Sequence, residues 1–87
     1  MVKIEKEKYP SVRDFGTSNA KFYGYLYYNH KRKGTVWKYK DGRYCYNEDF
    51  DSKYHNCENR PAQIVSESLG SLKQLANNYY KYLEEMK

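Results

Sequence analysis

Apolar residues follow two different rhythms along this 87-residue chain, one of period two and one of period three to four. Near the amino terminus Val2 and Ile4 alternate with Lys3, Glu5 and Lys6, and the chain then reaches Tyr9-Pro10 and Phe15-Gly16. Pro10 and Gly16 argue against a helix, so residues 1–19 read as a short edge strand or a loosely held arm. Residues 20–29 are dense in rings, which suits a pleated surface, and read as a strand. Alternation puts Phe22, Gly24, Leu26 and Tyr28 on one face and Tyr23, Tyr25 and Tyr27 on the other. A turn over His30, Lys31, Arg32, Lys33 and Gly34 leads to a second strand from Thr35 to Lys40. Asp41-Gly42 is a two-residue hairpin signal, and a third strand begins at Arg43. That turn sets Lys40 opposite Arg43, Tyr39 opposite Tyr44, Lys38 opposite Cys45 and Trp37 opposite Tyr46.

The pattern then changes. From Asn47 to Pro61 the chain is polar and irregular, with Glu48, Asp49 and Asp51 forming an acidic patch and a helical turn expected near Pro61–Val65. Beyond it Leu69, Leu72, Leu75, Ala76, Tyr79, Leu83 and Met86 recur at helical spacing, predicting an amphipathic helix over about 68–86. Ser71 with Gln74 fits a capping box, and Ser68 is a competing start. The expected fold is α+β, a three-stranded antiparallel sheet with one C-terminal helix packed on one face, and an extra N-terminal edge strand as the variant. One domain is expected, divided into an arm or edge strand over 1–19, a sheet over 20–47, a loop over 48–65 and a helix over 66–87. The helix stripe of Leu72, Leu75, Tyr79 and Leu83 is expected to cover the face bearing Trp37, Tyr39, Tyr44 and Tyr46, joined by Phe22 and Leu26.

Composition changes the picture of the core. The chain holds 12 Tyr, 3 Phe and 1 Trp, so the interior must be built largely from rings, many with the hydroxyl left at water. Charge is divided unequally: residues 1–47 hold 11 Lys/Arg against 4 acidic residues, and residues 48–87 hold 5 against 7. A basic half suits a polyanion or an acidic partner. Two cysteines, Cys45 and Cys57, with no signal-peptide pattern and no long apolar run, point to a cytoplasmic protein without a membrane segment.

Candidate chemistry follows from the face opposite the expected core. There Tyr23, Tyr25 and Tyr27 would lie beside Lys38, Lys40 and Arg43, with Lys31, Arg32 and Lys33 at a basic hairpin tip. Rings interleaved with cations suit a single-stranded nucleic acid, whose bases stack while its phosphates are neutralised. His30, Cys45, His55 and Cys57 offer metal-ligating atoms, but their spacing fits no common zinc pattern, and no metal or cofactor is expected. Asp41 with Asp51-Ser52-Lys53 superficially suggests a metal-dependent nuclease, and His30 or His55 a metal-free one, but Asp41 occupies a turn and no catalytic role is expected.

The segment Trp37-Lys38-Tyr39-Lys40-Asp41-Gly42-Arg43, set in three strands and a helix, resembles the AP2 and integrase amino-terminal DNA-binding domains. Those families start the helix soon after the third strand, whereas here some twenty residues intervene. The Lys/Tyr/Asn-rich composition is also similar to that of small phage and mobile-element proteins. The expectation is therefore a non-catalytic nucleic-acid-binding module, single strands favoured. The alternative is a phage- or mobile-element-encoded protein-binding inhibitor or adaptor, for example an inhibitor of a host defence nuclease, whose tyrosines anchor an acidic or nucleic-acid-bound protein.

Overall fold

The computed structural model describes residues 1–7 and 20–86. Five strands, β1 (Val2–Lys6), β2 (Ala20–Tyr28), β3 (Lys31–Tyr39), β4 (Tyr44–Glu48) and β5 (Gln63–Ser66), precede one helix, α1 (Leu69–Glu85). The strands pair antiparallel in chain order, β1-β2-β3-β4-β5, and α1 lies across one face. The class is thus α+β with a C-terminal helix on an antiparallel sheet, but the sheet has five strands rather than three. Val2–Lys6 supplies the edge strand that the alternation allowed, while Tyr9, Pro10, Phe15 and Gly16 lie outside the described residues. The expected helical turn near Pro61–Val65 is instead β5, paired with β4 through Tyr46–Ile64 and Cys45–Val65.

Both hairpins differ from their sequence expectation, each by a local cause. Asn29 and His30 carry positive φ of 51° and 69°, so the β2–β3 turn is only two residues long. This sense of turn matches strand twist, and Asn tolerates the left-handed region well. Lys31, Arg32 and Lys33 consequently belong to a strand and not to a loop tip. At the next turn Tyr39 N–H donates to the Arg43 carbonyl at 2.8 Å, and Gly42 N–H donates to the Tyr39 carbonyl at 3.0 Å. The loop is therefore three residues, Lys40-Asp41-Gly42, closed by Gly42 at φ 97°. One added loop residue slips the register by one, pairing Lys38 with Tyr44, Trp37 with Cys45 and Val36 with Tyr46. Such a slip sends side chains to the opposite faces.

The core follows from that register. Val2, Leu26, Tyr28, Val36 and Tyr46 face α1, which buries Leu72, Ala76 and Tyr80 against them. Tyr28 stacks on Tyr80 with centroids 5.0 Å apart. Trp37, Tyr39 and Phe22, expected beneath the helix, lie on the other side, since Trp37 pairs with Phe22 and Tyr39 with Ala20. The helix is rotated from the expected stripe: Leu75 is exposed, and Tyr79 and Leu83 are half-buried. Ser68, not Ser71, caps the helix, its Oγ accepting the Ser71 N–H at 3.1 Å. At Gly24 a Cβ would overlap the backbone of β1 at Glu5, so only glycine lets these strands approach.

Truncating a fully buried leucine removes packing and leaves a cavity, costing ~2–5 kcal/mol. Leu72→Ala should therefore lower stability by that amount in urea unfolding. Leu75→Ala, on the solvent side, should stay within roughly 0.5 kcal/mol of the parent. Equal effects at the two positions would contradict this helix orientation.

Candidate functional site

Two groups of side chains carry chemistry, and they occupy opposite faces of the sheet. The first is buried beneath α1. Glu48 ends β4 with its carboxylate side chain only 3% exposed. Its Oε1 accepts from His55 Nε2 at 2.8 Å, Ala62 N–H at 3.0 Å and the Tyr79 hydroxyl at 2.9 Å. Its Oε2 accepts from the Tyr80 hydroxyl at 2.7 Å, and Tyr46 donates in turn to Tyr80. His55 Nδ1 accepts the Asp51 N–H at 2.8 Å, so the ring carries its proton on Nε2 and is neutral. Both ring nitrogens are engaged. A general base needs a lone pair within reach of substrate, and His55 presents none in this arrangement.

Burial pushes the Tyr80, Tyr46 and Tyr79 hydroxyls well above the ordinary phenol range, reinforced at Tyr79 and Tyr80 by the hydrogen-bonded Glu48 carboxylate. These hydroxyls are donors and will stay so through neutral pH. The cluster holds β4, the loop after it, the approach to β5 and α1 in one place. The sequence singled out Glu48 only as part of an acidic patch and His55 only as a possible ligand or base. The signal that joins them to Tyr79 and Tyr80 is three-dimensional.

The second group lies on the helix-free face. Two bulges set its composition. Phe22 pairs with Trp37 and Gly24 with Val36, so Tyr23 is an extra residue, and it turns to the helix side against Tyr44. Lys33 is extra between the Leu26–Gly34 and Tyr27–Arg32 pairs, and its ammonium lies over the Tyr54 and Tyr80 rings at 5.2 and 5.8 Å. Bulges reverse which residues share a face. The expected site residues therefore divide. Tyr25, Tyr27 and Arg32 share the helix-free face, where Arg32 covers the Tyr25 ring at 4.0 Å and Tyr25 meets Phe22 edge to face. Tyr23, Lys33 and Lys38 belong to the helix side, Lys38 over Tyr44 at 5.6 Å. Lys31 pairs with the core residue Tyr28 and is exposed, and Lys40 is exposed in the three-residue loop. Arg43 does not oppose Lys40. It lies over Tyr39 at 5.3 Å, and its Nε donates to Asp41 at 2.8 Å.

Alternation from a two-residue Asp41-Gly42 turn assigns Trp37 and Tyr39 to the core. On the helix-free face Trp37 meets Phe22 edge to face at 5.4 Å and donates from Nε1 to Thr35 Oγ1 at 3.0 Å. Tyr25, Tyr27, Trp37 and Tyr39 are all half-buried. Arg32 marks one end of this row and Arg43 the other, roughly 20 Å apart by strand rise. Each end opens into a concavity. One of about 450 Å³ has Arg32 and Lys33 together with the carboxylates Glu48, Asp49 and Asp51 in its lining, and one of about 330 Å³ is lined by Tyr39, Lys40, Asp41 and Arg43. Both arginines meet exposed carboxylates, Asp49 at 3.6 Å and Asp41 at 2.8 Å. Exposed pairs of this kind are worth only ~0–1 kcal/mol, so an incoming phosphate can share or displace them.

The other candidate atoms are scattered. Cys45 is buried beside the Gln63 amide at 3.3 Å, Cys57 is exposed in the loop, and His30 sits in the first turn. Among the described residues no three His, Cys, Asp or Glu side chains converge as metal ligands. Asp41 precedes β4 and Asp51 follows it, so the two stand at opposite ends of that strand. Among the described residues no helix is long and apolar enough to cross a membrane. Comparison with known families, curated proteins and solved structures finds no match for the chain.

The cluster generates two expectations. The raised tyrosines titrate near pH ~10 when unfolded, so their contribution to stability is complete below that value and is lost as pH rises beyond it. Alkaline titration followed by tyrosinate absorbance should show these hydroxyls ionising only as the fold collapses. A smooth titration of every tyrosine in a folded protein would contradict the burial. Glu48→Ala strands several buried donors at about 1–3 kcal/mol each, so it should cost at least about 3 kcal/mol in urea unfolding.

Proposed function

We propose that the helix-free face binds single-stranded nucleic acid without catalysis, the bases stacking along Tyr25, Tyr27, Trp37 and Tyr39 and the phosphates meeting Arg32 and Arg43. The observation that carries this reading is the row itself: four half-exposed rings on paired strands, bounded at each end by a guanidinium over a tyrosine. Every base offers a π-face, so a row of rings binds strands with little regard to sequence. The amino-terminal half's cation excess supplies the attraction that draws a polyanion to this surface. A span of roughly 20 Å suits a short single-stranded segment, near the lower end of the ~4–16 nucleotide sites of single-strand-binding sheets. The same surface fits the second reading, an inhibitor or adaptor docking on an acidic or nucleic-acid-bound protein in the cytoplasm, because Tyr, Trp and Arg are also the residues that anchor protein interfaces.

The one tryptophan of the chain is a built-in reporter, since a base stacked on Trp37 quenches its emission. Titration with single-stranded DNA and RNA at several salt concentrations should give quenching and a strong salt dependence. Each phosphate neutralised on a single strand contributes about −0.7 to the slope of log K against log salt. Arg32→Ala with Arg43→Ala should flatten that slope by about one to one and a half. Lys38→Ala, on the helix side, should leave it nearly unchanged. Tyr27→Ala should weaken binding by ~1–3 kcal/mol with the slope intact. Absence of binding at low salt rejects the nucleic-acid reading and leaves the protein partner.

A further inference from the structure

We propose that β1 pairs with β1 of a second copy of this chain, joining two sheets edge to edge about a two-fold axis at Ile4. Half of the β1 backbone groups are spent on β2. Asn29 N–H donates to the Met1 carbonyl at 3.3 Å, and Glu7 N–H donates to the Tyr23 carbonyl at 2.9 Å. With Val2 opposite Tyr28 and Ile4 opposite Leu26, the odd-numbered residues of β1 bond to β2. The N–H and C=O groups of Val2, Ile4 and Lys6 therefore point outward. Among the described residues no strand pairs with this edge, and a groove of about 630 Å³ lined by Val2, Lys3, Glu5, Tyr27 and Lys73 opens beside it.

An open edge is a template, and charged residues normally disarm it. Here the charges select a partner instead. A two-fold axis at Ile4 places Ile4 opposite Ile4 of the partner subunit, an arrangement in which outward groups of both strands bond. Val2 then faces Lys6 of the partner subunit, and Lys3 faces Glu5 of the partner subunit. Lys3 and Glu5 already pair within the strand at 3.1 Å and are exposed, so the two copies together form a four-charge cluster. The neighbouring two-fold registers set Lys3 against Lys3 or Glu5 against Glu5, which is unfavourable for directly opposed residues. One register alone is self-complementary, as an isologous contact requires. β1 is short, so the interface is small and the dimer weak, filling in at high protein concentration. It leaves the helix-free face of each copy uncovered.

Sedimentation equilibrium over a wide concentration range, at low salt, should show the mass rising from 10.5 kDa towards twice that value. Lys3→Glu alone and Glu5→Lys alone each replace two attractive pairs by two repulsive ones and should weaken self-association at least about tenfold. An equimolar mixture of these two variants should form a heterodimer, and the double variant Lys3→Glu/Glu5→Lys should recover homodimerisation. Amide exchange at Ile4 should slow as concentration rises while exchange in β3 does not. A monomer at every concentration, or a dimer indifferent to both charge reversals, overturns the proposal. Circular dichroism and the thermal midpoint, unchanged in the exposed-charge variants, separate lost association from lost folding.

Discussion

The Glu48 carboxylate is the constraint on which the rest of the molecule depends. A buried charge is tolerated only when its lone pairs are satisfied, and here the satisfying donors come from separate stretches of chain. His55 comes from the irregular loop, the Ala62 N–H from the approach to β5, and the Tyr79 and Tyr80 hydroxyls from α1. The neutral His55 ring extends the reach by accepting the Asp51 N–H, which folds the loop back on itself. A core short of Leu, Ile and Val thus gains through polar saturation some of the definition that aliphatic packing alone would supply. It also explains why the segment after β4 is ordered at all, since Phe50 and Cys57 there are exposed and contribute little burial.

Much of the fold was legible from periodicity. The ring-dense stretch over 20–29 and the three-to-four-residue repeat over about 68–86 correspond to β2 and α1 to within a residue at each end, because each is long enough for its pattern to dominate. The faces were not legible, and the reason is specific. Asp41-Gly42 suits a two-residue turn and equally the end of a three-residue one, and the two differ by one step of register. That step exchanges Trp37 for Val36 beneath the helix. β5, four residues long and flanked by polar chain, carries too few positions to display a rhythm.

The candidate surface shows the same division. Tyr25, Tyr27, Arg32 and Arg43 were singled out from the sequence and do lie on the helix-free side or at its end. Tyr23, Lys33 and Lys38 were drawn away by bulges and register, events that alternation cannot foresee. Trp37 and Tyr39 entered by the same displacement. Glu48 and His55 had no signature, since a lone acid and a lone histidine seven positions apart acquire their meaning only when α1 delivers two phenols to them.

Sheet order and chain order coincide in this protein, and that has a kinetic consequence. Each strand's neighbour is the next one made; the β2–β3 and β3–β4 hairpins close short loops and carry modest closure entropy, while β1–β2 and β4–β5 are joined by longer stretches of chain. The contacts of Glu48 with α1 span 31 and 32 residues and can form only after the sheet and helix meet. Loop-closure entropy thus favours β2–β3 as the first hairpin and sets the Glu48 contacts with α1 after it. Changes at Glu48 or its partners will act mainly on the rate of escape from the native state, and changes at the Asn29-His30 turn on the rate of reaching it.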